Sequence, residues 1–289
     1  MANVNEILQR TPPAILYHYT TQQGLLGIIN GKEIWASHTQ YLNDTREFRH
    51  AIDLLTEELL EMEKDALRDQ RSRNFLAQMR KPLSQGRESV NVCVCSFSEK
   101  GDMLSQWRAY GESASGFAIG FSGEHLRKVS EEHGYLVPVL YDEGEQRRFA
   151  RALLKDVLAE LMRRPAEEGE ASPVGGNLGA YLNRYAPILK HKSFEEEREW
   201  RIITKPLMCS GERFDYRAGA SMLIPYFRLP LSQQESLGIR EIVIGPTPHP
   251  AQSSRSVDGL LMKNGIATWG LLSPDAVTIR CSEVPYRSW

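Results

Sequence analysis

The chain has 289 residues, 41% of them hydrophobic and 25% charged, and a formal net charge of -2. This composition supplies enough apolar material for a core and excludes a general attraction to nucleic acid or to an anionic membrane surface. No apolar run approaches the roughly 20 residues of a membrane span, the start MANVNEILQR lacks a signal-peptide pattern, and the four cysteines form no Cys-x-x-Cys pair, so the expectation is a cytoplasmic protein without disulfides or structural zinc.

Taken in order, Val4 to Gln9 reads as a short helix stopped by Thr11-Pro12-Pro13. Ile15 to Thr20 is a strand with Leu16, His18 and Thr20 on one face, and Thr21 caps a helix through Ile29 that Asn30-Gly31 ends. A strand Ile34 to Ser37 leads through the loop Tyr41-Leu42-Asn43-Asp44 into a long helical hairpin from Glu47 to about Gln85, with Ile52, Leu55, Leu59 and Met62 as its stripe. Val92 to Ser98 alternates as a half-buried strand. Asp102 is placed to cap a helix carrying Met103, Trp107 and Tyr110 on one face, and Gly111 ends it. Gly116 to Phe121 returns as a strand.

Tyr135 to Tyr141 is a strand and Glu145 to Arg164 an amphipathic helix. Pro165 to Asn177 is an acidic, Gly-rich loop, and a further helix is expected from about Leu178 to Leu189. Strands follow at Glu199 to Thr204, Phe214 to Tyr216, Met222 to Leu229 and Ile239 to Val243. Ser256 to Lys263 is a helix, and Val277 to Arg280 closes the chain as a strand. The order is neither alternating βαβ nor all-β, which fits an α+β class.

Three clusters carry chemistry-bearing residues. In Tyr17-His18-Tyr19-Thr20 an imidazole sits in an otherwise apolar strand, as a satisfied core histidine or as part of a hydrogen-bonding wall for a ribose or base. Ser96 and Ser98 point to one side of their strand, either toward a polar ligand or toward backbone, with Trp107, Arg108 and Tyr110 downstream. In Glu195-Glu196-Glu197-Arg198-Glu199-Trp200-Arg201 an acidic run passes straight into an apolar strand. Such a run is a solvated turn, or its carboxylates Glu197 and Glu199, on one strand face, stabilise a developing cation and orient a nucleophile. The sequence has no phosphate-binding Gly-x-x-x-x-Gly-Lys-Ser/Thr loop, no His-Glu-x-x-His and no Gly-x-Ser-x-Gly turn.

These elements resemble a bacterial family catalogued as domain of unknown function 2971. The motifs are Tyr17-His18-Tyr19-Thr20, Leu42-Asn43-Asp44 with Glu47, Ser96-Phe97-Ser98, Gln106 to Gly111, Gly116 to Phe121, Glu197-x-Glu199-Trp200-Arg201, Ile244-Gly245-Pro246 and Pro285-Tyr286-Arg287. A looser resemblance is to the ADP-ribosyltransferase fold, in which an early His, central hydroxyls and a late Glu occur in the order of His18, Ser96 with Ser98, and Glu199. A single domain over 1–289, with a helical insertion at 44–85 and a loop at 165–177, is read from the residue pattern, and the resemblance implies an α+β fold with a split mixed or antiparallel sheet. It also implies cleavage of NAD, with transfer of ADP-ribose to a protein or nucleic acid or hydrolysis, as in a toxin or anti-phage effector. Glu199 and Glu197 would be catalytic, and His18, Tyr19, Thr20, Ser96, Ser98, Trp107, Arg108 and Tyr110 would bind NAD. On this reading Glu199→Gln abolishes nicotinamide release without unfolding the protein. Two other readings stand beside it: a non-catalytic nucleotide- or peptide-binding sensor, and a metal-dependent hydrolase or nuclease using His18, Asp44 and Glu47.

Overall fold

The computed structural model describes residues 4–42, 45–65, 69–85, 91–111, 116–163, 184–232, 236–268 and 276–285. In chain order they form α1 (Val4–Leu8), β1 (Ile15–Thr20), α2 (Gln22–Gly31), β2 (Glu33–His38), α3 (Thr45–Asp65), α4 (Gln70–Gln85), β3 (Cys93–Ser98), α5 (Leu104–Tyr110), β4 (Phe117–Ser122), α6 (Gly123–His133), β5 (Gly134–Pro138) and α7 (Glu143–Arg163). Then come β6 (Glu199–Thr204), β7 (Phe214–Ala218), β8 (Leu223–Pro230), β9 (Ile239–Ile244), α8 (Pro250–Lys263) and β10 (Thr278–Cys281). Two short 3-10 turns, Ala186–Ile188 and Lys192–Glu197, bridge α7 to β6.

The class is α+β, with one mixed sheet ordered β10-β9-β4-β1-β3-β2-β8-β7 and β6 and β5 branching from β3. The β9–β10 pair is parallel and the other pairs are antiparallel. The sheet divides at β3. One edge of β3 pairs with β6 from Val94 to Ser98. The other edge is shared: β2 takes Cys93 and Val94, whereas β1 meets β3 only where Tyr17 faces Ser98.

Both faces are covered, because the strands at the centre are apolar on both sides. On one face α3, α4 and α7 pack through Leu55, Leu59, Met79, Phe149 and Leu153 onto Val94, Val137 and Ile203. On the other, α2, α6 and α8 pack through Ile29, Leu126 and Leu261 onto Cys95, Phe97, Phe121 and Ile202. A smaller cluster of Tyr19, Trp107, Ala118 and Val243 lies under α5. Salt bridges from Arg147 and Arg151 to the buried Glu58 tie α7 to α3.

Several boundaries differ from the sequence expectation. The helix at α6 was not foreseen, because it opens on Gly123 and is polar; its signal is Ser122, whose hydroxyl accepts the His125 N–H. Asp102 does not cap α5. Met103 is the capping residue, without a side-chain bond, and the Asp102 carboxylate instead accepts the Trp107 indole N–H at 2.7 Å, the Ser282 hydroxyl and the Glu283 N–H. Glu197 belongs to a 3-10 turn rather than to the strand. Residues 186–188 are also a 3-10 turn, while 178–183, where a helix was expected, lie outside the described residues, as do the loop at 165–177 and Asn43-Asp44. No helix among the described residues is long and apolar enough to cross a membrane.

Candidate functional site: a buried acid pair beside the sheet division

The pairing register decides which predicted residues meet. Residues directly opposite in antiparallel strands share a face, and here Tyr17, Ser98 and Glu199 form one row, Ser96 faces Arg201, and Val94 faces Ile203. Ser96, Ser98, Glu199 and Arg201 therefore lie together on the face that α3, α4 and α7 cover further along.

At their centre is Glu199, which is 6% exposed. Its Oε1 accepts from Arg201 Nε at 2.7 Å, and its Oε2 accepts from Arg201 Nη2 and Lys190 Nζ, both at 2.9 Å. Burial by itself raises the carboxyl pKa. The charges of Arg201 and Lys190, with hydrogen bonds from Arg201 and the Ser96 hydroxyl, outweigh it and hold Glu199 at about 2. Arg201 is fixed in turn by the Pro187 carbonyl at 2.8 Å. Lys190 is a buried ammonium that also donates to Glu197 Oε2 at 2.6 Å and rests over the Phe194 ring at 4.9 Å.

Glu197 stands differently. It is only partly buried, and burial together with the charge of Glu199 moves its pKa upward against the opposing pull of Lys190 and Arg201. One lysine thus bridges an acid kept ionised and an acid whose proton affinity is increased. The turn between them is conformationally special. Arg198, the residue that ends the 3-10 turn, adopts φ 43° and ψ 55°, a left-handed conformation that costs a residue with a side chain about 1–2 kcal/mol. The kink lets Glu197, off the strand, and Glu199, on it, reach the same ammonium. Its side chain offers little in return, an exposed ion pair with Glu99 at 3.8 Å. Arg198→Gly is expected to raise stability by about 1 kcal/mol, measured as a higher midpoint of urea unfolding.

Phenols complete the site. The Tyr141 hydroxyl accepts the Glu199 N–H at 3.1 Å, and Tyr110, 44% exposed on α5, lies close enough to Glu199 and Glu197 for their charges to reinforce the rise that burial gives its pKa. Ser98 donates to the Glu197 carbonyl at 2.7 Å. A cleft of about 520 Å³ adjoins Glu199, with Lys100 and Arg198 as its cations and Glu99, Glu195 and Glu196 as further acids.

Other candidates are placed elsewhere. His18 faces the opposite side of the sheet: its ring lies against Phe97 at 5.8 Å and near Cys95, and its Nδ1 donates to the Ser96 carbonyl at 2.9 Å. It occupies the gap where β1 leaves β3, and burial lowers its pKa. The reason is parity, since Tyr17 is the residue registered with Ser98. Tyr19 is buried, its hydroxyl donating to the Lys100 carbonyl and accepting the Met103 N–H. Thr20 packs on α2, so tightly that a Cβ on Gly24 would sit 1.8 Å from its hydroxyl. Trp107 is 1% exposed, edge-on to Tyr19 at 4.7 Å, which removes it from any stacking on a ligand. Arg108 is exposed on the last turn of α5. Asp44 and the side chain of Glu47 lie outside the described residues, among which no group of three or more His, Cys, Asp or Glu is arranged to hold a metal ion.

The sequence reading missed Lys190, Arg201 and Tyr141. Arg201 had a signal, a guanidinium within the apolar run Trp200-Arg201-Ile202-Ile203, because a charge in a buried strand needs a partner. No curated protein and no solved structure matches the chain. Residues 106–202, which hold Tyr110, Tyr141, Lys190, the acid pair and Arg201, match the model of the family described as protein of unknown function (DUF2971), the family that the motifs resemble.

Proposed function

We propose that the chain is an ADP-ribosyltransferase-like enzyme that breaks the N-glycosidic bond of NAD and passes the ADP-ribose to water or to a macromolecular acceptor. The observation that carries this reading is the unlike pair of carboxylates: Glu199 buried, doubly paired and ionised, Glu197 nearer the surface with a raised pKa. Neighbouring acids pushed apart in proton affinity are the arrangement that acid–base chemistry at a sugar carbon needs. The division of the sheet beside Ser98 adds to it, as does the sequence order of the hydroxyls and the acids.

In NAD the bond to nicotinamide breaks with its electron pair leaving on nicotinamide. Glu199, held as an anion, would stabilise the positive charge that develops on the sugar. Glu197 would accept the proton of the attacking hydroxyl, and Lys190 keeps the two carboxylates in register. Tyr110, beside the cleft and not in its lining, offers an exposed aromatic face for a planar base, and the cleft's two cations, Lys100 and Arg198, stand among the acids Glu99, Glu195, Glu196 and Glu199. His18, Tyr19, Thr20 and Trp107 serve the frame instead of the ligand.

A second reading, a non-catalytic nucleotide- or peptide-binding pocket, is favoured by one observation: both oxygens of Glu199 already accept from cations. Nicotinamide release from NAD separates the two. The enzyme reading expects release that falls about 10²–10⁴-fold in Glu197→Gln, with a much smaller loss of stability than in Glu199→Ala, because burial already disfavours the Glu197 charge and Lys190 keeps Glu199. As a base, Glu197 works deprotonated, so the acidic limb of the rate profile should lie above the ordinary glutamate range. Wild-type protein that binds NAD without releasing nicotinamide supports the pocket, and protein inert to NAD in both assays removes the enzyme reading.

A further inference from the structure

The strand β7 closes one end of the sheet, and among the described residues it pairs only with β8. The Arg228 N–H donates to the Arg213 carbonyl at one end of this hairpin, and the Gly219 N–H to the Met222 carbonyl at the other. Bonded and open pairs alternate along an antiparallel ladder. Counting inward from both ends, the backbone groups of Phe214, Tyr216 and Ala218 turn away from β8 to the free edge. Pro225, which has no N–H to give, stands opposite Tyr216, as that alternation requires.

Such an edge invites another strand, and the sequence of β7 suits one strand in particular. Phe214-Asp215-Tyr216-Arg217-Ala218 has an acid and a base placed symmetrically about Tyr216. An antiparallel copy centred on Tyr216 would set Asp215 opposite the partner subunit's Arg217, and Arg217 opposite the partner subunit's Asp215. These would be open pairs, with Cα atoms about 4.5 Å apart, the closer of the two spacings. Both side chains are already held on one face of the sheet, Arg217 by the Ser37 hydroxyl at 3.3 Å and Asp215 by a hydrogen bond with Tyr226. Exposed apolar side chains, Tyr216 at 51% and Leu223 at 66%, occupy the other face beside the edge.

We propose that β7 is an isologous interface through which two copies of this chain join their sheets edge to edge. A two-fold axis at Tyr216 uses each complementary contact twice, as self-association requires. An unrelated antiparallel strand would have to carry the same acid-then-base order at the same two-residue spacing. On pairing, the Tyr216 N–H leaves the Asp215 carboxylate, which it now meets at 2.8 Å, for the partner's backbone, and the carboxylate turns to the guanidinium across the axis.

Sedimentation equilibrium of the full chain over a range of concentrations tests this. A monomer–dimer equilibrium is expected. Asp215→Arg and Arg217→Asp, each placing like charges opposite one another twice, should weaken it about tenfold or more, and the double swap should restore it. Tyr216→Pro should give monomer with an unchanged circular-dichroism spectrum, because the lost N–H faces away from β8. Wild-type protein that stays monomeric at its highest soluble concentration overturns the proposal. So does a dimer that Tyr216→Pro leaves intact, or a double swap that stays as weak as the single variants.

Discussion

Glu199→Ala is expected to lower the unfolding free energy by about 3–5 kcal/mol, the usual consequence of removing one partner from a buried ion pair. The loss is large because the acid has two buried cations. Arg201 and Lys190 would be left buried without the carboxylate that both now share, Lys190 still paired with Glu197 and Arg201 still donating to the Pro187 carbonyl. Glu199→Gln keeps the volume but not the charge, so it too should destabilise. This revises the sequence-based expectation that the substitution would spare the fold: the acid that reads as catalytic is also the anchor of the site. Denaturant titration of both variants measures the effect, and values within 1 kcal/mol of wild type would refute the central role given to Glu199.

The same residue sets an acid limit. The Glu199 pKa falls from 4.5 to about 2 on folding, so its pairing stabilises the protein above the ordinary carboxylate range and is lost as the pH drops between those values. The contribution is on the order of 3 kcal/mol. The gap in stability between wild type and Glu199→Ala should narrow across that window and stay constant above it.

Trp107→Ala is expected to cost about 3–5 kcal/mol as well, by a different mechanism. Among the described residues the indole is the largest side chain that is fully buried, it lies edge-on to Tyr19, and it packs so close to Gly245 that a Cβ there would approach its ring to 3.1 Å. Truncation leaves a cavity and strips the Asp102 carboxylate of one of the donors that join α5 to the segment after β10. Trp107→Phe should recover most of the loss, because it restores apolar volume and omits only the N–H. Equal destabilisation by the two variants would shift the weight from the cavity to the hydrogen bond.

Much of the fold was legible in the sequence because it is local. The strands Ile15–Thr20 and Cys93–Ser98, the apolar stripe of α3 and the Thr21 cap of α2 each follow from neighbours in the chain, although Cys93–Ser98, expected to be half-buried, is buried on both faces because helices cover both sides of the sheet. The acidic run entering an apolar strand marked Glu197 and Glu199 for the same reason. What stayed hidden depends on register and on distant partners. Alternation put Leu16, His18 and Thr20 on one face, but only the Tyr17–Ser98 contact decides that this face is turned away from the acids. Lys190 is separated from Arg201 by the strained turn at Arg198, and no spacing rule announces that one ammonium will serve two carboxylates.

The sharing of one β3 edge by β1 and β2 has a mechanical consequence. Within the sheet, β3 alone connects the β2–β8–β7 arm to the β1–β4–β9–β10 arm. A twist of either arm must therefore be transmitted through Ser96 and Ser98, whose hydroxyls rest on Glu199 and on the Glu197 backbone. Whatever binds at the outer rim of β7 has a single through-strand lever on the acids, and stiffening that rim would stiffen the spacing of their oxygens.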